Sequence, residues 1–316
     1  MSVIIQLGLL VLGFVLLVKG ADFFVDGAAG IALRLGIPEL IIGLTIVAMG
    51  TSAPEAAVSI TAAFKGNADI AVGNVIGSNI LNVLVILGIS ALFVSIAVGS
   101  STIKYELPFM FLISCLFLAL GYDRVVDRMD GVVLWICFLI YLGYLFIMTK
   151  NSDQPKTEEG LTIPMAVFYT LLGMIMIVLG SDTTVDAATE LARIMGMSQR
   201  FIGLTIVALG TSLPELVTSV SAARKGNADI AIGNIVGSNI FNILFVLGTS
   251  ALIIPINFMP VFRIDAVVVI ASALLLLLCS LNKRLGKRSG VIMLAFYALY
   301  FIFVILDVNI PALPLG

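Results

Sequence analysis

Histidine is absent from this chain, and charged residues are scarce. The absence of histidine excludes the Ser-His and Cys-His arrangements of nucleophilic enzymes, and it excludes histidine-based metal sites. Charged residues make up 11% of the 316 residues, whereas soluble domains contain about 25%. Hydrophobic residues make up 60%, and the mean hydropathy is +1.18. The scarcity of charge therefore excludes a soluble domain and predicts a polytopic membrane protein.

Cysteine and net charge are also low. Cys115, Cys137 and Cys279 lie inside apolar runs without metal-ligand spacing, which indicates packing residues. The net charge of −2 leaves no basic patch for nucleic acid. We expect no cofactor and no enzymatic activity.

Long apolar runs dominate what is present. A membrane-crossing helix needs about 20 mainly apolar residues. Ten segments meet this criterion, at about 3–32, 38–64, 69–95, 103–121, 128–149, 161–193, 199–223, 229–253, 260–281 and 289–307. The sequence therefore predicts an all-α membrane protein with ten transmembrane helices and one polar linker, residues 150–160.

The chain contains an internal duplication. Residues 43–90 align without a gap to residues 203–250, at a constant offset of 160, and 32 of the 48 positions are identical. We therefore predict a first five-helix repeat at 1–149 and a second at 161–316, joined by the linker 150–160.

The odd number of helices in each repeat inverts the second half relative to the first. With the amino terminus outside, the inner loops carry ten Lys and Arg residues and the outer loops six. This bias follows the positive-inside rule and places the linker in the cytoplasm. Secondary transporters with inverted repeats bind substrate near the membrane midplane, where the halves meet.

Two glutamates occupy equivalent positions near the middle of predicted spans two and seven. Glu55 and Glu215 follow Pro54 and Pro214 in the repeated motifs "GTSAPE" and "GTSLPE". An ionised group at the bilayer centre costs several kcal/mol and is a functional residue by default. Each proline is expected to break its helix and free backbone carbonyls, which can coordinate a hard cation.

Hydroxyl and amide side chains surround these glutamates in the sequence. Helical spacing places Thr51, Ser52 and Ser59 on the face of Glu55. The next span carries "GNVIGSNILN", repeated as "GNIVGSNIFN", whose GxxxG glycines predict close helix packing. The polar stripes that these motifs form are Asn74, Ser78 and Asn82 in the first copy, and Asn234, Ser238 and Asn242 in the second. Because all candidate ligands are oxygens, they favour Ca²⁺ or Na⁺ over Zn²⁺ or Cu⁺.

Four aspartates lie at symmetric positions nearer the ends of spans one and six. They are Asp22, Asp26, Asp182 and Asp186. They could attract ions at the entrances, and solvated helix ends explain them equally well.

Together, these motifs resemble the paired alpha repeats of sodium/calcium exchangers, prokaryotic members included, in the calcium/cation antiporter superfamily. The resemblance implies Ca²⁺ ligands from Glu55 and Glu215 with backbone oxygens of Thr51 and Thr211. It implies Na⁺ sites formed with Ser52, Ser78, Ser212 and Ser238 and the carbonyls of Ala48 and Ala208. It places Asn82 and Asn242 at the centre, and it makes the long spans one and six the sliding gate helices.

Two sequence differences from related subfamilies narrow the choice of coupling ion. Proton/calcium exchangers carry a glutamate where this chain has Gly77 and Gly237, and potassium-dependent members carry an aspartate at the position of Asn242. The resemblance therefore implies K⁺-independent exchange of Na⁺ for Ca²⁺. With the family's usual count of three Na⁺, exchange is electrogenic.

The expected function is a Na⁺/Ca²⁺ antiporter of the cell membrane that exports Ca²⁺ by alternating access and acts as a monomer. Two alternatives remain open. A proton/calcium antiporter needs only the two glutamates as proton acceptors, and a passive cation channel could use the same ligands without coupling. An intramembrane protease is disfavoured because the catalytic pair it needs is lacking.

Overall fold

The structure is a computed structural model that describes residues 3–66, 69–151, 160–195 and 208–309. Its long elements are helices, connected by four two-residue strands. The helices are α1 (Val3–Leu35), α2 (Glu39–Thr51), α3 (Ala53–Phe64), α4 (Ile70–Phe93), α5 (Thr102–Asp123), α6 (Arg128–Lys150), α7 (Ile163–Ile194), α8 (Ala208–Thr211), α9 (Leu213–Arg224), α10 (Ala228–Ile253), α11 (Pro260–Ser280) and α12 (Lys287–Asn309).

Within these ranges, eight helices are long and apolar enough to cross a membrane. Helices α2 and α3 meet at a bend of 51° and make a ninth span if they cross together. The protein is therefore an all-helical, multi-pass membrane protein. The predicted seventh span begins outside the described residues, which include only its later part as α8 and α9, and the predicted linker lies largely outside them. The count of ten spans stays a prediction.

Helices α1 and α7 are the longest and pack against each other antiparallel along their length. Glycines make this contact close. A Cβ placed on Gly27 would lie 2.5 Å from the backbone nitrogen of Thr170, and one on Gly173 would lie 2.4 Å from that of Phe24. Small residues at a membrane helix interface let the backbones approach in this way.

Helices α4 and α10 form the centre of the molecule. In α10, 94% of the apolar window is buried, and in α4 78%, whereas the other long spans are 11–33% buried. The outer helices present large apolar side chains such as Leu112, Phe146 and Leu299 on their exposed faces, as lipid contact requires. The polar motifs of the sequence therefore lie on the two helices that are shielded most.

The four short strands pair the connecting segments at the two ends of the bundle. Strand β1 (Ile96–Ala97) pairs with β4 (Arg284–Leu285), and β2 (Val125–Val126) pairs with β3 (Ile256–Asn257), both antiparallel. Each pair joins a segment of the first half to a segment of the second half. The pairing places the connections after α4 and α11 at one end, and those after α5 and α10 at the other.

Candidate functional site

The predicted helix break is present at the first glutamate. Helix α2 ends at Thr51, α3 begins at Ala53, and Pro54 lies in the first turn of α3. Proline is favoured in a first turn because its missing N–H has no partner there in any case. Glu55 follows in the same turn, where the helix dipole favours negative charge.

The second half repeats this arrangement. Helix α8 ends at Thr211, α9 begins at Leu213, and its first turn contains Pro214 and Glu215. Each glutamate therefore projects from the start of a new helix at a break deep in its span.

The two glutamates are brought together in the interior. Glu55 and Glu215 are each 1% exposed. Ser52, one turn before Glu55, donates a hydrogen bond from Oγ to Glu215 Oε1 over 2.8 Å. The two halves of the chain thus contribute one carboxyl each to a single buried site.

Several buried oxygens of these carboxyls and of nearby side chains have no hydrogen-bond partner among the residues that the structure describes. Burying an unpaired polar atom costs about 1–3 kcal/mol, so a cluster of them calls for a compensating ligand. The unpaired atoms are Oε1 and Oε2 of Glu55, Oε2 of Glu215, Oγ of Ser212, Oγ1 of Thr218, and Oδ1 of Asn82 and Asn242. All are oxygens, and this donor set matches a hard cation.

Two asparagines donate hydrogen bonds to the helix turns that contain the glutamates. Asn74 donates from Nδ2 to Ser59 Oγ over 2.9 Å and to the carbonyl oxygen of Glu55 over 3.2 Å. These bonds connect α4 to the first turns of α3. The counterpart bonds run from Asn234 to Ser219 Oγ over 2.9 Å and to the carbonyl oxygen of Glu215 over 3.4 Å.

Two further contacts join the first break to α10. Thr51 donates from Oγ1 to Asn234 Oδ1 over 2.9 Å, and Ser238 donates from Oγ to the carbonyl oxygen of Ala48 over 3.4 Å. The break of one half therefore rests on the polar stripe of the other half.

Four asparagines form a second layer that crosses between the halves. Asn82 donates to Asn239 Oδ1 over 3.0 Å, and Asn242 donates to Asn79 Oδ1 over 3.2 Å. Asn79 and Asn239 each donate to the other's backbone carbonyl over 3.2 Å. The four bonds are two symmetric pairs at the repeat offset of 160.

The sequence analysis identified Asn82 and Asn242 and missed Asn79 and Asn239. The overlooked pair stands out in the sequence as the amide of "GSN", repeated in both copies. Helical spacing from Asn74 does not select it, because Asn79 lies five residues further along and so on another face of an α-helix. The backbone then continues into π-helical turns at Leu81–Leu87 and at Asn242–Leu247. Such π segments often lie at functional sites.

We predict that Asn79→Ala and Asn239→Ala each lower the thermal stability of the detergent-solubilised protein. Each change leaves buried amide groups of the other asparagines unpaired, and each unpaired group costs about 1–3 kcal/mol. Thermal unfolding followed by size-exclusion chromatography measures the effect. Asn227→Ala is the matched control, because Asn227 precedes α10 without a side-chain capping bond. Equal melting temperatures for all three variants would contradict the prediction that the asparagine layer stabilises the fold.

The remaining predicted site residues differ in their surroundings. Ser212 is buried and Thr211 is half-buried at the second break. Ser78 is buried on α4. Ala208 is the first residue of α8, and its side chain falls outside what the structure describes.

The two GxxxG pairs behave differently. A Cβ on Gly233 would lie 2.9 Å from the Gly43 Cα, and one on Gly237 would lie 2.7 Å from the Ala48 Cβ. Close packing is thus confirmed for α10. In α4, Gly73 is exposed and Gly77 is partly exposed, and a Cβ on Gly77 would meet no described atom within 4 Å. The residues of the second half that are equivalent to Gly43, Leu44 and Ala48 are residues 203, 204 and 208, and their side chains lie outside what the structure describes. For α4 the close packing therefore stays a prediction.

A third buried carboxyl lies apart from this cluster. Glu106, 1% exposed, accepts a hydrogen bond from the hydroxyl of Tyr144, between α5 and α6. The sequence analysis did not single it out. The Tyr144 hydroxyl pairs with one oxygen of the Glu106 carboxyl, and Glu106 belongs to no repeated motif.

In chemical terms, the cluster has the donor atoms that a hard cation prefers. Two carboxyls with amide and hydroxyl oxygens are buried between two broken helices in the middle of a membrane bundle. Among the described residues, no group of three or more His, Cys, Asp or Glu side chains could hold a metal ion. A buried set of oxygen atoms where two halves of a membrane bundle meet is typical of ion transporters.

Comparisons with known proteins agree with this class. The model of the sodium/calcium exchanger protein family matches twice, at residues 5–149 and 165–306. The chain is 43% identical to "Putative antiporter CaxA" of Alkalimonas amylolytica over 89% of this chain and 93% of that one. It is 33% identical to "Sodium/calcium exchanger MaX1" of Methanosarcina acetivorans over 93% and 97%, respectively. A solved structure of the sodium-calcium exchanger NCX_Mj superposes with a TM-score of 0.86, at 32% identity, over 96% of this chain and all of that one.

The chain therefore belongs to the sodium/calcium exchanger family, which is a family of transporters and not of enzymes. The family predicted from the repeated motifs is confirmed.

Proposed function

We propose that this protein is a Na⁺/Ca²⁺ antiporter that exports Ca²⁺ by alternating access, driven by the Na⁺ gradient. The observation that carries the proposal is the meeting of Glu55 and Glu215 in one buried site, with carboxyl oxygens left unpaired. The name of the relative MaX1 and that of NCX_Mj support the same pair of ions.

The charge of the site explains why transport is coupled. Without a cation, two ionised carboxyls would cross a low-dielectric region unpaired, at a cost of several kcal/mol for each. One Ca²⁺ neutralises both. The empty carrier is therefore held back, and it crosses only with bound cations.

In this proposal the Ca²⁺ ligands are Glu55 and Glu215 with backbone oxygens of Thr51 and Thr211. Flanking Na⁺ sites use Ser52, Ser78, Ser212 and Ser238 with the carbonyls of Ala48 and Ala208, and Asn82 and Asn242 lie between them. The hydrogen bond from Ser238 to the Ala48 carbonyl supports the grouping of those two residues. Three Na⁺ in place of one Ca²⁺ leave a net charge of +1, so each cycle moves one charge.

The architecture proposed for this cycle is two inverted five-helix repeats, residues 1–149 and 161–316, joined by a cytoplasmic linker at 150–160. The strand pairs support it, because β1 and β3 occupy equivalent positions in the two halves, as do β2 and β4, so the pairs β1–β4 and β2–β3 are two copies of one arrangement. Helices α1 and α7 would slide past the fixed site to alternate access. The chain is proposed to act as a monomer in the cell membrane, with its amino terminus outside.

A flux assay tests the coupling. Purified protein in Na⁺-loaded proteoliposomes should take up ⁴⁵Ca²⁺ when diluted into Na⁺-free buffer. Because each cycle moves one net positive charge out of the vesicle, an inside-positive potential should speed this uptake and an inside-negative potential should slow it. External K⁺ should leave the rate unchanged. Protein-free liposomes loaded in the same way are the control.

Three other outcomes would overturn the proposal. Uptake that follows a pH gradient without Na⁺ identifies a proton/calcium antiporter. A requirement for K⁺ excludes K⁺-independent exchange. Passage of Ca²⁺ without any counter-ion gradient identifies a channel.

A further inference from the structure

An ion-pair cluster connects the long helix α1 to the end of α9. Lys225, which follows α9, donates from Nζ to Asp26 Oδ1 over 2.7 Å and to the carbonyl oxygen of Asp22 over 2.8 Å. Ser221 donates from Oγ to Asp22 Oδ1 over 2.7 Å. We call these four residues the α1–α9 latch. Neither the ion ligands nor the asparagine layer uses them.

The duplication supplies a second copy of the same four side-chain positions. At the offset of 160, the latch residues correspond to Asp182 and Asp186 on α7, Thr61 on α3, and Lys65 after α3. We call these the counterpart set. All four are exposed, and among the residues that the structure describes Lys65 forms no ion pair with either aspartate. One copy is therefore engaged while the other is open.

The two copies lie at opposite ends of the bundle. Asp229, four residues after Lys225, lies beside Gly99, just after β1. Helix α4, which begins shortly after Lys65, contacts β3 at the other end. Engagement at one end is therefore accompanied by an open counterpart at the other.

The ion site shows the same one-sided engagement. Ser52 donates a hydrogen bond to Glu215, whereas the equivalent hydroxyl of Ser212 and the carboxyl of Glu55 have no partner in the part of the chain that the structure describes. Gly237 is packed closely, whereas its equivalent, Gly77, is partly exposed. Three separate places thus differ between two halves whose sequences are nearly the same there.

We propose that the α1–α9 latch positions α1 to hold the present state of the transporter, and that the counterpart set engages in the opposite state. The inference rests on the proposed alternating-access function. In an inverted repeat, the two access states exchange the conformations of the halves, so a contact made in one half predicts its equivalent in the other. Lys225 and Lys65 are then alternately paired and free.

The latch is partly exposed, so we expect it to shift the equilibrium between the two access states and not to prevent the transition between them. Exposed ion pairs contribute little to stability, and breaking this one should shift the ratio of the two states about two- to fivefold. Lys225→Gln should favour the opposite state. Lys65→Gln should leave the present state at least as populated, because its ammonium group is unpaired here.

Distances between paired nitroxide labels measure both ends at once. The labels are placed at Leu33 and Arg224, and at the equivalent positions Arg193 and Phe64, in a chain whose three cysteines are replaced by serine. All four positions are exposed. In Lys225→Gln, the 33–224 distance should lengthen and the 193–64 distance should shorten. Lys65→Gln is the matched control and should not lengthen the distance between the labels at positions 33 and 224.

Charge exchange separates a latch from general damage to the fold. Lys225→Glu combined with Asp26→Lys should restore the wild-type distances, whereas Lys225→Glu alone should not. Unchanged distances in Lys225→Gln, with ⁴⁵Ca²⁺ exchange intact, would overturn the latch and leave the proposed function standing. Wild-type protein that lacks exchange would overturn the proposed function, and the two distances would still decide the latch.

Discussion

Glu55→Gln and Glu215→Gln should each reduce Na⁺-dependent ⁴⁵Ca²⁺ uptake to background, a loss of about 100-fold or more. Each substitution keeps the size of the side chain and removes one of the two charges that compensate Ca²⁺. A fall in Ca²⁺ affinity of 2.8 kcal/mol already corresponds to about 100-fold. Because both carboxyls are buried and lie at the same site, neither can replace the other.

Glu106→Gln is the matched control for this prediction. Glu106 is as buried as the two site glutamates, but it bonds Tyr144 between α5 and α6, away from the cluster. We expect this variant to retain exchange. The elution profile of each variant on size-exclusion chromatography checks that it is folded. Normal uptake by a folded Glu55→Gln or Glu215→Gln protein would exclude the shared carboxyl site.

The second large effect is expected from Gly237→Ala. Its Cβ would lie 2.7 Å from the Ala48 Cβ and 2.8 Å from the Leu44 Cα, so α10 and α2 must separate. Overpacking of this kind costs about 1–3 kcal/mol, and here part of the obstacle is backbone. We expect the melting temperature of the solubilised protein to fall by roughly 2–10 °C. Exchange should fall too, because the Ala48 carbonyl moves away from Ser238.

Gly77→Ala provides the comparison at the equivalent position of the other half. A Cβ there meets no described atom within 4 Å, so the melting temperature should stay within about 1 °C of wild type. Thermal unfolding of the two variants side by side makes the measurement. If both glycines tolerated alanine equally, the difference in packing between α4 and α10 would be refuted.

Much of this site was predictable because its motifs occur twice in the sequence, once in each repeat. Glu55 and Glu215 stand out as repeated carboxyls in apolar surroundings, and the cost of burying charge makes such residues rare unless they function. The bend at Pro54 was predictable as well, since proline removes a backbone donor and clashes with the preceding turn.

Other parts of the site depend on contacts that a linear pattern does not contain. Asn79 and Asn239 bond across the two halves, and they lie five residues after Asn74 and Asn234, a spacing that does not share a helix face. Glu106 was overlooked because no repeat marks it. Its burial results from packing between α5 and α6.

The sequence by itself determined the membrane environment, the family and the pair of carboxyls, because hydropathy and repeated motifs are local properties of the chain. Only the tertiary structure decided which of the two related halves is engaged. Gly237 and Gly77 occupy equivalent positions in the repeated motifs, yet Gly237 is packed and Gly77 is partly exposed. Within the described ranges, Lys225 forms an ion pair and Lys65 does not. A duplicated sequence allows both arrangements equally, and the choice between them depends on how α1 and α7 lie against the two halves.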